Sequence, residues 1–264
     1  MKESEFIKNY KPSDFDRPSV TVDTVVFGLS RTESGNYRKL DEQRLSVLLV
    51  KRDNHPFQGK WALPGGFVAM TETLEDTACR VLQTKAGLQG IYLEQLYTYG
   101  AVDRDPRMRI LSSAYVALVD RGQYKPTQAQ AAWFEVSFDE EKLLLSGVEE
   151  IKISLKQEIK RNGKLKLLSY TADDNHLAFD HAQIVADSLL RIRNKVEYTD
   201  IAFNLVPDEF TISELQQVYE IILGTELIPA AFRRKIADSI EETGNVQQDK
   251  GHRPSKLYRY KAAL

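Results

Sequence analysis

The sequence predicts an α+β protein, a layered sandwich followed by a smaller helical domain, and three observations carry that prediction. Apolar and β-branched runs cluster in the first half on either side of one amphipathic segment, an order of strands, helix, strands rather than a regular βαβ array. Beyond residue 207 the pattern becomes helix, short turn, helix, loop and strand, the outline of a winged helix-turn-helix domain. The length, 264 residues, suits about two domains.

Residues 1–17 are polar, with Pro12 within them and Pro18 just after, and are expected to form an arm that packs on a neighbour. SVTVDTVVFGLSR, 19–31, is dense in β-branched residues and predicts a strand. A polar loop follows, then LSVLLVKR, 45–52, a strand apolar enough to be buried on both faces. In NHPFQGKWALPGGFV, 54–68, Pro and Gly break the regularity.

Thr71–Ala86 reads as a helix. Thr71 is the candidate N-cap, Glu72, Glu75 and Asp76 complement the positive end of the dipole, and Gly87 sits at the C-cap. IYLEQLYTYG (91–100), RILSSAYVALVD (109–120) and WFEVS (133–137) are strands, the first two separated by the polar loop AVDRDPRM. Residues 139–176 are charged and mixed, with one expected strand, KLKLLSY (164–170), after an Asn162-Gly163 turn. Residues 176–196 predict one long amphipathic helix with Ile184, Val185, Leu189 and Ile192 on its apolar face. The domain boundary is expected near Asp200–Pro207, giving an arm (1–17), a sandwich with connecting helix (18–200) and a terminal domain (201–264). In that last part, Thr211 precedes a helix over Ser213–Leu223 closed by Gly224. Pro229 suits the first turn of a second helix, AAFRRKIADSI, and KLYRYKA is a strand.

Composition excludes several classes. Hydrophobic residues are 42% and charged residues 28%, ordinary for a globular chain. A net charge of -2 rules out a uniformly polybasic protein, so any nucleic-acid surface must be local. Cys79 is the only cysteine, so no intrachain disulfide forms, which fits a reducing compartment. There is no long apolar run and no apolar core in the first residues, so neither a membrane span nor a secretory signal is expected and the location is expected to be cytoplasmic.

The segment GFVAMTETLEDTACRVLQTKAGL, 66–88, resembles the Nudix box: Gly66, Glu72, Arg80, Leu82, Gly87 and Leu88 fall in register, with WALPGG just before it. The resemblance covers roughly residues 18–138 and implies the Nudix α/β/α sandwich. Where the family carries three glutamates after the arginine, this chain has Val81, Thr84 and Lys85. Those positions share one helical face, on which the family holds Mg²⁺ against a diphosphate. Valine has no ligand atom, and hard cations need oxygen donors. Lys85 brings a positive charge where the cation would sit, and at roughly 4 Å like charges in a partly buried site repel by several kcal/mol. No metal site and no required cofactor is therefore expected. Glu72, Glu75 and Asp76 are the remaining weak metal candidates, and helix-dipole complementarity explains them equally well. Arg80 in such folds supports the helix and loop. A pocket that has lost its metal can still bind phosphate and ribose, and the candidate ligand-binding residues are Arg52, Gly65, Gly66, Arg80, Lys85, Arg104, Arg107 and Arg109.

Residues 229–264 hold eight basic residues against four acidic ones, a local excess of four positive charges in a chain that is net negative. FRRK lies where a recognition helix belongs. The candidate DNA-binding residues are Thr211, Arg233, Arg234, Lys235, Arg253, Lys256 and Arg259, with Gly251-His252-Arg253-Pro254 as the wing tip and Phe232 and Ile236 as core.

FTISELQQVYEIILGTELIPAAFRRKI followed by GHRPSKLYRY, with LAFDHAQIVADSLLRIR before it, resembles the NrtR family of Nudix-related transcriptional regulators. The resemblance spans most of the chain, excluding the arm and residues 139–170. It implies a regulator, a repressor by expectation, whose Nudix half senses ADP-ribose or a related nucleotide or sugar phosphate. It also implies a homodimer that binds a double-stranded DNA operator through its winged helices. Two other readings stand beside it. One is a Mg²⁺-dependent Nudix hydrolase of a nucleoside diphosphate derivative such as ADP-ribose, its tail serving in dimerisation. The other is a DNA-binding protein whose Nudix half is only a dimerisation scaffold.

Overall fold

The computed structural model describes residues 2–32, 42–121, 130–138, 141–162, 165–247 and 255–261. The arm carries a short helix, α1 (Glu3–Asn9), and a single 3-10 turn, with no buried residue in either. Next come β1 (Ser19–Thr32), β2 (Glu42–Lys51), β3 (Trp61–Ala62), β4 (Gly65–Phe67), α2 (Leu74–Ala86), β5 (Tyr92–Tyr99), β6 (Ile110–Val119) and β7 (Ala131–Phe138). β8 (Lys142–Ser146), β9 (Glu150–Asn162), β10 (Leu165–Asp173), α3 (His181–Val196), α4 (Ile212–Leu223), α5 (Pro229–Ile236), β11 (Ile240–Gln247) and β12 (Ser255–Tyr260) complete the described chain.

Among the described residues β1–β10 form one mixed sheet in the order β10-β9-β8-β7-β2-β1-β6-β5, with β3 on β2 and β4 on β1. β1 runs parallel to β6 and antiparallel to β2. A central strand must be apolar on both faces, and β1 is: Val22 and Val26 pack toward α2, while Val25, Phe27 and Leu29 point to the opposite layer with α3. The sheet is thus covered on both faces, as the α/β/α expectation requires.

Several elements differ from the sequence reading. Helix α2 begins at Leu74, not after Thr71, because its capping box uses Thr73: Asp76 N donates to Thr73 Oγ1 (3.1 Å) and Thr73 N to Asp76 Oδ2 (3.0 Å). Gly87 closes it in the left-handed region (φ 74°) as expected. The charged stretch 139–176 holds three strands rather than one, extending the sheet by β8, β9 and β10. The expected Asn162-Gly163 turn lies partly outside the described residues, although β9 and β10 pair on either side of it. The connecting helix starts at His181 rather than 176. The backbone before it is used by β3, with Trp61 N donating to His176 O (3.1 Å) and Ala178 N to Trp61 O (2.8 Å), and Phe179 turns left-handed (φ 56°).

The terminal segment is helix, turn, helix and a two-stranded wing. β11 was not expected. It pairs with β12, and Phe210 adds an isolated bridge to Tyr258. Phe232 and Ile236 are buried at 2% exposure each, so both are core as expected, each contributing roughly 1.5–3 kcal/mol by burial. One apolar cluster runs without a break from Phe27 and Phe134 through Ile184, Leu189 and Phe203 to Val218 and Phe232. The sandwich and the terminal helices therefore share a core across the expected boundary.

Candidate ligand-binding site and nucleic-acid interface

A cavity of about 540 Å³ opens between the carboxyl end of β2, the β3–β4 segment, α2 and the loop after β5. Asp23 lies at its floor, 7% exposed. Ser112 Oγ donates to Asp23 Oδ2 (2.5 Å), Arg104 Nη2 lies 3.5 Å from Oδ2, and His181 Nε2 lies 3.6 Å from Oδ1. His181 Nδ1 accepts from Leu63 N (2.9 Å), which leaves Nε2 to face the carboxylate. Burial raises the Asp23 pKa, but His181, Ser112 and Arg104 outweigh it and hold the carboxyl down to about 2. Close packing needs glycine at 65, since a Cβ there would stand 2.0 Å from Asp23 Oδ1.

The α2 face that would grip a cation offers no carboxylate. Val81 is buried against the sheet side at 1% exposure, Thr84 Oγ1 donates to Arg80 O (2.8 Å), and Lys85 Nζ donates to Gly65 O. Lys85 is exposed, and its ammonium is tied to a β4 carbonyl at the cavity wall. Desolvation lowers its pKa, Asp23 opposes this, and Arg52 and Arg80 lower it further. Arg52 is likewise lowered, by burial first and then by Arg107. The cavity lining carries five basic side chains against Asp23, Asp53 and Asp105, and Arg107 forks onto Asp105 (3.0 and 2.8 Å).

The weak metal candidates are engaged elsewhere. Glu72 takes Arg80 Nε at 2.6 Å and Thr77 Oγ1 at 2.9 Å, which hold its carboxyl down to about 2. Asp76 is bound to Thr73 in the cap, and Glu75 is exposed on the helix. Among the described residues no group of three His, Cys, Asp or Glu side chains is placed to hold a metal ion.

The expected ligand residues divide. Arg52, Gly65, Gly66, Lys85, Arg104 and Arg107 line the cavity. Arg80 does not; it ties α2 to the preceding loop through Glu72 and Phe67 O (3.0 Å). Arg109 is corrected to a loop brace, because its guanidinium is spent on Ala101 O and Gly100 O (2.8 Å each) outside the cavity wall. Arg104 is also mainly structural. It is 8% exposed and forks onto Asp180 at 2.9 and 2.6 Å. Asp23, Phe67, Phe179 and His181 also line the cavity, with Asp180 behind Arg104, and the sequence reading named none of them. A single carboxylate in the apolar run VTVDTVV was the signal for Asp23.

On the terminal domain, Arg233 and Arg234 project from α5 into solvent. Lys235 is exposed as well, but its ammonium reaches back toward Val196 O (3.5 Å) and over the Tyr219 ring (4.9 Å). Thr211 is corrected from a DNA contact to a helix cap. It is 4% exposed, and its Oγ1 accepts from Glu214 N (3.1 Å) while its own N–H donates to Glu214 Oε2 (2.8 Å). Lys256 pairs with Glu242 (2.9 Å), and Arg259 pairs with Glu241, across the wing. Arg253 and the wing tip lie outside the described residues. No helix among the described residues is long and apolar enough to cross a membrane.

Comparison with known proteins bears on both halves. Residues 202–260 match the family model of the NrtR DNA-binding winged helix domain, and residues 35–155 match that of the NUDIX domain. The chain is 34% identical to the ADPR responsive transcriptional repressor NtrR of Acinetobacter baylyi, over 98% of this chain and 88% of that protein. Among solved structures, a MutT/nudix family protein from Enterococcus faecalis superposes with a TM-score of 0.75 at 27% identity, covering 99% of this chain and 94% of the other. NrtR of Shewanella oneidensis, complexed with a 27mer DNA, superposes with a TM-score of 0.67 at 28% identity, covering 92% and 93%.

Proposed function

The chain belongs to the NrtR family, a Nudix domain joined to a DNA-binding winged helix, and from that premise we propose that it is an ADP-ribose-responsive repressor that does not hydrolyse its ligand. The observation that carries this reading is the cationic cavity beside an α2 face of Val81, Thr84 and Lys85. Arg52, Lys85 and Arg107 meet a diphosphate as an anion, whereas Mg²⁺ would face an ammonium in place of carboxylates. The residue assignments follow from this. Arg52, Gly65, Gly66, Lys85 and Arg107 bind ligand, Arg104 and Arg80 shape the site, and Arg233 and Arg234 enter the major groove with Lys256, Arg259 and Arg253 near the backbone. The working division is an arm at 1–17, a sensing part at 18–200 and a DNA-binding part at 201–264. The protein acts as a homodimer in the cytoplasm, where operator DNA is.

A ligand changes DNA affinity only if it favours one arrangement of the two winged helices. Fluorescence anisotropy with DNA from upstream of the chain's own gene should show binding that weakens about 5- to 150-fold as ADP-ribose is added. Unchanged affinity at saturating ligand would remove the gating. Incubation with ADP-ribose and Mg²⁺ should release no AMP at enzymatic rates; turnover of roughly 1 per second or faster would establish the hydrolase instead.

A further inference from the structure

We propose that Phe179 is the cavity's stacking platform for the flat base of a nucleoside diphosphate ligand, a role that rests on the ADP-ribose reading. Phe179 lines the cavity and stands half-buried two residues before α3. Phe57 and Phe179 are the non-glycine residues with left-handed backbone among the described residues, at φ 61° and 56°. Bulky side chains avoid that region, and where it occurs it marks clamps and switches. Here the two residues touch each other, ring centroids 4.8 Å apart and planes at 69°, so that Phe57 buttresses Phe179 by an edge contact. The His181 ring closes another side at 5.4 Å.

What occupies the Phe179 ring identifies its use. The Arg52 guanidinium lies 4.8 Å from the ring centroid, and that of Arg107 lies 5.9 Å away. Both arginines line the same cavity and repel one another there. A guanidinium is planar and stacks on aromatic faces much as a base does. Arg52, its Nε donating to Pro56 O (2.8 Å), covers the ring face that a base would use. A diphosphate draws Arg52 and Arg107 toward its oxygens, which uncovers the ring, and the base attached to the same ligand covers it again. Anion capture and base stacking are thus two halves of one exchange at a single residue.

Calorimetric titration of the full-length protein with ADP-ribose, AMP and ribose 5-phosphate tests this in wild type and in Phe179→Gly, Phe179→Leu and Phe179→Tyr. Glycine accepts the left-handed backbone and removes the ring; leucine keeps bulk without a π-face. The Gly and Leu variants should lose about tenfold or more in affinity for ADP-ribose and AMP, in line with base–aromatic stacking. Their affinity for ribose 5-phosphate should stay within about twofold of wild type, and Tyr should retain binding of all three. Leu or Gly variants that bind ADP-ribose as wild type does would overturn the platform alone, as would an equal loss on ribose 5-phosphate. Wild-type protein that binds neither ADP-ribose nor AMP would overturn the ligand reading and the platform together.

Discussion

Asp23 stays ionised inside the sandwich because Ser112, Arg104 and His181 converge on it, and that convergence sets its effect on stability. Its carboxyl titrates at about 2 in the folded protein, against an ordinary value of 3.8. A depressed carboxylate pKa stabilises the fold above the ordinary value, and the contribution disappears as pH falls through the folded one. Asp23→Asn should therefore destabilise the protein by about 2–3 kcal/mol at neutral pH, since Ser112 and Arg104 lose a charged acceptor while Arg104 keeps Asp180. The gap to wild type should close as the pH is lowered from about 4 to about 2, measured by urea unfolding at a series of pH values. A gap that does not change with pH would mean the carboxylate is not ionised there. On the other half of the chain, Arg233→Ala and Arg234→Ala should each weaken operator binding by about 1–3 kcal/mol if they contact bases, with folding unchanged because both side chains are exposed. The exposed arginines were readable from the sequence. The fate of Lys235, Arg109 and Thr211 was not, because each is decided by a carbonyl or amide that only the folded chain brings near.

Helix α2 shows how an element can keep its frame while its chemistry changes. The Thr73–Asp76 capping box and the left-handed Gly87 fix its ends, so the pattern of residues that defines it was visible in sequence even where the cap was misplaced by two positions. β8 and β9 were missed for a different reason. Ile151, Ile153 and Leu155 alternate with Lys152, Ser154 and Lys156, a half-buried strand pattern obscured by a high density of charge. β11, IEETGNVQ, has weak strand propensity of its own and exists because β12 pairs with it. That pairing alters the electrostatics of the wing. Glu241 and Glu242 hold Arg259 and Lys256, so part of the basic excess counted from sequence is neutralised within the hairpin. Glu241→Gln with Glu242→Gln should free both cations, strengthen binding to all DNA sequences alike and steepen the salt dependence by about one to two phosphate contacts. If the salt slope stays the same, the wing does not meet the phosphates. Thr211→Ala, by contrast, should cost about 1 kcal/mol of stability through the lost cap and leave the salt slope as it is.

At the scale of the molecule the decisive element is α3, which begins in the cavity and ends on the winged helix. At its first turn Asp180 grips Arg104 and His181 faces Asp23. At its far end Arg193 donates to Ile222 O (2.8 Å) and Leu223 O (2.9 Å), the last carbonyls of α4, and Val196 O receives Lys235 from α5. Between those ends the helix is tied to the sheet by Asp187 with Tyr99 Oη (2.8 Å) and by Lys195 with Glu94. A helix tied at both ends, inside an apolar core common to both halves, is placed to carry a change at the cavity to the winged helix. Sub-ångström changes in such packed cores pass between discrete arrangements rather than fading with distance. Two outcomes distinguish this from a pair of domains joined by a passive tether. Hydrogen exchange with and without saturating ADP-ribose should show raised protection in α4 and α5 as well as around the cavity, because ligand stabilises the whole cooperative unit, by about 2.7 kcal/mol at a hundredfold excess over Kd. Arg193→Ala should leave ADP-ribose affinity nearly unchanged while reducing the loss of operator affinity that the ligand causes. Protection confined to residues 18–200, with Arg193→Ala releasing DNA as wild type does, would make α3 a linker and place the coupling in the dimer interface.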